Sequence, residues 1–372
     1  MRFTIDKNQF LKGLTIAGKA VPAKSTNPAL ICYRLEITPK GLEIIASNSD
    51  IAIWTLIPTV LGDKEIVRNT SLGSVCITAY TLAEFVRRTE GDELTLEVID
   101  GAMARINAGK CSVTLKCMNS DEYPDLSFEK SATPFVLPCS DLIQLVDQTA
   151  FAASTKDTRP VLTAINLKAE SGKLTATATD SARLSRKSVD IDPALHFNSN
   201  IPAKTLSDVT HLLDPGSNVE ISSTNEKITF SFGNTIVSSR LISESYPVSS
   251  SIIPSTFNYR LEVNSQQLLS AIDRVSILSQ NMAPVVKLSM SDESVLVSSA
   301  TTSGNGEESL STVQFEGDRL EIAFNAVFVS EAVKALGCED VAISFIGEMK
   351  PFIIKNPKDD SIVELITPMR TR

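Results

Sequence analysis

Side chains able to do covalent or acid–base chemistry are few in this sequence, and they are scattered. Histidine occurs twice, at 196 and 211. Neither has a His, Cys or carboxylate at ligand spacing, and His211 in TLSDVTHLL reads as a polar-face residue more readily than as a general base. The six cysteines (32, 76, 111, 117, 139, 338) form no CxxC pair and stand near no His, the pattern of reduced thiols and not of a disulfide framework or zinc site. SGNGEES at 303–309 holds two glycines but no Lys and no GxGxxG, so it reads as a flexible hairpin tip. Asp121-Glu122 and Asp359-Asp360 are neighbouring acids in apparent loops, and adjacent positions do not make a general acid–base pair. No catalytic residue, metal or cofactor is expected.

Two stretches do look like parts of a site. In TATATDSARLSRKS (175–188) a strand alternates through Thr177 and Thr179 and then breaks at Asp180-Ser181-Ala182 into Arg183-Leu184. Asp and Ser at such a break also make an ordinary Asx or Ser turn. The second is the extreme C-terminus, ELITPMRTR. Chain ends are usually polar and frayed, yet Leu365, Ile366, Pro368 and Met369 are apolar. They should pack into or onto something, and Leu and Met suit an adaptable peptide-binding surface. A hydrolase or transferase built on Asp180 and Arg183 is the enzymatic rival, weakened by the lack of a partnered His, Cys or metal cluster.

The elements that hold these stretches follow from a long repeat. FTIDKNQFLKGLTIAGKAV from Phe3, FVLPCSDLIQLVDQTAFAA from Phe135 and YRLEVNSQQLLSAIDRVSIL from Tyr259 each open on a short alternating strand and pass into apolar residues at helical spacing. The stripes are Phe10, Leu14, Ala17; Leu142, Val146, Thr149; and Leu268, Ile272, Val275, so each helix covers a sheet with one face. Ser140 and Ser265 stand where N-cap hydroxyls are expected. Hairpin-like strands follow each copy. Each copy has a second half of the same order, with stripes Leu82, Phe85, Val86; Leu206, Val209, Leu213; and Val329, Val333, Leu336. The sequence therefore predicts an α+β protein of three tandem, internally duplicated domains: 1–126, 127–252 and 253–372, with linkers near 127–134 and 250–258. The length of 372 residues agrees with more than one core. Tyr123-Pro124 and Tyr246-Pro247 fall where the first two domains end.

Bulk composition narrows the class further. Apolar content of 42% and charged content of 21% are ordinary for a folded protein. No apolar run is long enough to span a bilayer, and RFTIDKNQF reads as the first strand directly after Met1, so no membrane partner and no signal peptide are expected. The net charge of −9 argues against tight gripping of nucleic acid through phosphate neutralisation.

Three duplicated α+β domains, a TDxxRL turn in the second and a terminal PMR together resemble the bacterial sliding-clamp family, the beta subunit of DNA polymerase III. The similarity runs from RFTI at residue 2 to PMRTR. It implies a non-catalytic, cytoplasmic bacterial protein that forms a head-to-tail homodimeric ring, with helices lining the hole and sheets outside. Such a ring encircles double-stranded DNA without sequence specificity and tethers the replicative polymerase catalytic subunit. A closed ring needs no tight phosphate contacts, which reconciles the acidic charge with DNA. The resemblance implies channel-facing basic residues on or beside the helices: Lys12, Lys19, Lys24, Arg87, Arg88, Lys156, Lys204, Arg274 and Lys334.

The family's partner site is a hydrophobic groove that takes short peptides of the polymerase, the clamp loader and other proteins with clamp-binding motifs. Carried over residue by residue, it implies Leu162, Thr179, Arg183, Leu184, Pro247, Ile252, Leu365, Pro368, Met369 and Arg370 here. Ser181-Ala182 departs from the family's Gly then His or aromatic, and Thr367 from its apolar residue, which implies a shallower or more polar groove. For ring closure the resemblance places 109–115 at an open sheet edge, with Cys111 and Val113 meeting Ile277 and Leu278 of the other copy and Lys110 near its Glu307 and Glu308. A repeated β-rich scaffold without a peptide site is the third reading; the pairing of the TDxxRL turn with the apolar tail is what it would not need.

Overall fold

The structure is a computed structural model that describes residues 1–128, 134–248, 251–277, 284–302, 304–311 and 314–370. Six α-helices occur among them, each entered directly from a strand: α1 (Lys7–Gly18), α2 (Ala79–Arg88), α3 (Cys139–Asp147), α4 (Ala203–Thr210), α5 (Ser265–Ser276) and α6 (Ala326–Leu336). The apolar stripes face inward as the 3.6-residue period requires. Phe10, Leu14, Ala17, Leu82, Val86, Leu268, Ile272, Val329 and Val333 are all essentially buried. Truncating one of the large ones to Ala would cost about 2–5 kcal/mol.

The caps fall elsewhere than expected at two helices. Asn264 accepts from the Gln267 amide and Ser265 is the first helical residue of α5, while Ser140 lies inside α3. An Asn directly before the apolar stripe caps at least as well as Ser, so the helix starts one residue earlier. Asp6 and Asn325 cap α1 and α6 in the same way. Gly337 closes α6 in the left-handed conformation, φ 60°.

Residue contacts group the chain into two compact units, 1–140 with 208–241, and 141–207 with 242–372. The grouping follows the ladders, which join neighbouring thirds of the sequence. In the first unit Thr235–Arg240 pairs antiparallel with Ile51–Pro58 inside a thirteen-stranded sheet. In the second, Arg183–Asp190 pairs with Asp359–Ile366 inside a nine-stranded sheet, Leu184 opposite Leu365 and Arg183 opposite Ile366. A four-stranded sheet completes the second unit, and its core combines α5 and α6 with strands of both sheets.

Among the described strands, one in each unit has an edge left open beside the segments expected to close the assembly. Cys111–Met118 pairs along 111–116 with Met103–Ala108, but meets Gly73–Thr78 only at Cys117 and Met118. Gly304–Leu310 is one of the two outer strands of the four-stranded sheet. The expected flexible tip at 303–309 is therefore a strand over its described part: Gly304 turns the chain back at φ 149°, and Asn305 to Leu310 pair with Val295 to Ala300. Among the described residues no helix is long and apolar enough to cross a membrane.

Candidate functional site

The 179–184 turn and the C-terminal tail meet in the second unit. Thr179 Oγ1 donates to the Arg183 carbonyl at 2.6 Å and accepts from the Ser181 amide at 3.1 Å. Asp180 Oδ1 accepts from the Ala182 and Arg183 amides at 2.9 and 3.0 Å. The Asx turn is thus real, and Arg183 leaves directly from it. Ser181 holds φ 80°, a left-handed conformation that glycine adopts without a Cβ penalty. The tail is fastened by two backbone bonds: the Thr367 amide donates to the Ala182 carbonyl at 2.9 Å and the Met369 amide to the Ala323 carbonyl at 2.7 Å.

Arg183 is committed to this framework. Its Nε meets Asp180 Oδ2 at 3.1 Å, its Nη1 bonds Glu331, and its guanidinium lies 4.4 Å from the Phe328 ring centre and 5.3 Å from that of Phe151. Guanidinium held between aromatic faces and two carboxylates is rigid. None of Phe151, Phe328 or Glu331 is signalled by the sequence, because they come from a short turn and a helix far from the TDxxRL stretch.

The apolar floor is Leu184 paired with Leu365, joined by Ile353 and Val363 in one cluster against which Ile253 and Phe257 pack. Leu162, Thr179 and Pro368 are buried, and Thr179 is the ladder partner of Leu184. Pro247 and Met369 are half-buried, while Ile252 and Arg370 are exposed. These four present the accessible surface.

Behind the floor, Glu364 is 1% exposed and shares the inward face with Ile362 and Ile366 of the core. Ser185 Oγ lies 2.6 Å from the Gln148 carbonyl oxygen and 2.9 Å from Glu364 Oε1. A hydroxyl has one proton, so Ser185 can donate to the Gln148 carbonyl or to Glu364 Oε1 but not to both at once. Burial pushes the Glu364 carboxyl well above the usual range, against the smaller opposing pulls of the Ser185 bond and the Arg183 charge. A carboxylate at an inward strand position, I-V-E-L-I, was the signal available in the sequence.

The nine basic residues expected to face DNA are all exposed. Four are tied to carboxylates of the same unit: Lys19 to Asp208 at 3.5 Å, Arg87 and Arg88 to Glu84, and Arg274 to Glu308 in a fork at 2.6 and 2.7 Å. Lys12, Lys24, Lys156 and Lys334 make no ion pair among the described residues. Of the interface expectations, Lys110, Cys111 and Val113 border or lie on the open edge of the first unit. Glu307 and Glu308 lie on that of the second, with exposed Ile277 directly after α5. Leu278 lies outside the described residues. Among the described residues no cluster of His, Cys, Asp or Glu could hold a metal ion.

Comparison with known proteins agrees along the whole chain. Sequence models of the DNA polymerase III beta subunit match in series: the N-terminal domain at residues 1–127, the central domain at 136–248 and the C-terminal domain at 250–370. The beta sliding clamp of Bacillus subtilis is 35% identical, with all of both chains covered. Its crystal structure superimposes with a TM-score of 0.96, again over all of both chains. The DNA polymerase III beta chain of Streptococcus pneumoniae is 31% identical with a TM-score of 0.95 and the same full coverage.

Proposed function

Because the chain belongs to the DNA polymerase III beta-subunit family, the sliding clamps, we propose that it is a processivity clamp without catalysis of its own. Two copies join head to tail, residues 1–126 of each against 253–372 of the other, and close a ring around double-stranded DNA in a bacterial cytoplasm. Closure uses the two open edges, Cys111–Lys116 against Gly304–Leu310. Unpaired strand edges seek partners, and these carry opposite charges at Lys110 and Glu307. Helices α1 to α6 line the hole. Lys12, Lys24, Lys156 and Lys334, free of internal ion pairs among the described residues, supply weak attraction to phosphates. Lys19, Arg87, Arg88 and Arg274 are partly neutralised by their own carboxylates, which suits sliding better than gripping.

The observation that carries the reading is the tail hydrogen-bonded onto the 179–184 turn above the Leu184–Leu365 floor. That surface takes the apolar anchors of linear peptides carried by the polymerase, the clamp loader and other clamp-binding proteins, anchors being the usual source of affinity in such grooves. Light scattering at micromolar concentration tests the assembly. A mass near twice 40.2 kDa is expected, and a strict monomer would contradict the ring.

A further inference from the structure

The outward face of the second unit carries a cavity of ≈ 340 Å³ that the groove residues do not account for. Its floor is Ile353 and Val363, its roof Ile253 and Phe257, and its rim Arg186, Lys355 and Asp360. Strand register places it next to the groove residues. Side chains alternate along a strand, so Arg186 shares the face of Leu184 one pleat period away, about 6.6–6.8 Å. Leu184, Leu365, Ile353 and Val363 already form one apolar cluster under Ile253 and Phe257.

The rim charges do not balance. Lys355 Nζ meets Asp360 Oδ1 at 3.3 Å, but the Arg186 guanidinium makes no hydrogen bond or ion pair among the described residues. It is half-buried beside apolar side chains, and this burial lowers its pKa. A cation drawn partly out of water without a counter-ion is a disfavoured arrangement that a carboxylate would relieve with charge-assisted bonds, the fork of Arg being suited to both oxygens.

Resting on the groove reading above, we infer that this cavity extends the peptide site and takes an Asp or Glu side chain of the bound segment, about two or three residues from the apolar anchors over Leu184 and Leu365. The clamp then prefers partner segments in which an acid flanks the anchors, and Arg186 is the residue that reads it.

The test is fluorescence polarisation on the full chain with acetylated and amidated peptides, so that the only carboxylate is the side chain. The peptides share one pair of apolar anchors and carry Glu or Gln two to three residues to either side. Arg186→Gln should weaken the better-binding Glu peptide about fivefold and leave its Gln counterpart within about twofold. Lys355→Gln, an independent variant should Arg186→Gln fold poorly, should also weaken only the Glu peptide. Equal binding of Glu and Gln peptides by the unmodified chain, or equal losses for both in the variants, would overturn the inference. Failure of the groove reading looks different: no peptide would bind the unmodified chain, or binding would survive removal of residues 368–372.

Discussion

Glu364→Gln should make the second unit more stable at neutral pH, although it removes a charge-bearing residue beside Arg183. Burial holds the Glu364 carboxyl well above its usual range. The single Ser185 proton is shared between the Gln148 carbonyl at 2.6 Å and Glu364 at 2.9 Å, so whenever it goes to Gln148 a protonated carboxyl can supply the other bond. A Gln side chain has the same shape and offers an N–H there. As pH rises past the ordinary glutamate value of 4.5, the unfolded chain gives up this proton while the native chain keeps it. The folded pKa is raised, so the native state binds more protons and stability falls with pH. The slope is about 1.4 kcal/mol per pH unit, until the native group itself ionises. Glu364→Gln lacks that slope. The variant should match the parent near pH 4.5 and pull ahead by about 1.4 kcal/mol per pH unit across this window. A chain of two compact units has no single unfolding free energy, so the assay is hydrogen exchange of the 362–366 amides, corrected for the intrinsic pH dependence and read as local opening free energy. A variant less protected than the parent at pH 7, or a difference that does not change with pH, would refute the neutral acid and indicate a native carboxylate paired with Arg183.

Other perturbations act on the groove directly. Deleting residues 368–372 removes Pro368 and the Met369–Ala323 backbone bond; binding of an apolar clamp-motif peptide should fall about tenfold or more, with the circular dichroism spectrum unchanged. Retained binding would place the site elsewhere. Pro247→Ala should weaken capture about threefold and Pro124→Ala should leave it unchanged, since only Pro247 belongs to the proposed groove; polarisation titrations of the two variants side by side decide this.

Periodicity carried most of the architecture into view. Phe10-Leu14-Ala17 and its five counterparts repeat at domain spacing, and a one-sided apolar stripe needs a sheet to cover whatever the tertiary details. The tail was legible because Leu365 and Pro368 are apolar where a free end would be polar. What stayed hidden depends on through-space pairing. No local pattern says that Thr235–Arg240 lies beside Ile51–Pro58, or Arg183–Asp190 beside Asp359–Ile366, and those ladders build two compact units from a threefold repeat. Phe151, Phe328 and Glu331 converge on Arg183 from distant segments and gave no signal. The cap at Asn264 was missed because two good capping residues adjoin, and the strand at 304–310 because its glycines outweighed an alternation that only pairing with 295–301 makes regular.

The central claim is a topological one: the protein stays on DNA because it surrounds it. The direct measurement loads the protein with its clamp loader onto a nicked circular duplex, cuts the circle once, and follows the protein by gel filtration. Retention on the circle at a salt concentration that removes simple phosphate binding, followed by loss after the cut, is the predicted result. Equal retention on circular and linear DNA, or release from both with salt, would contradict the account.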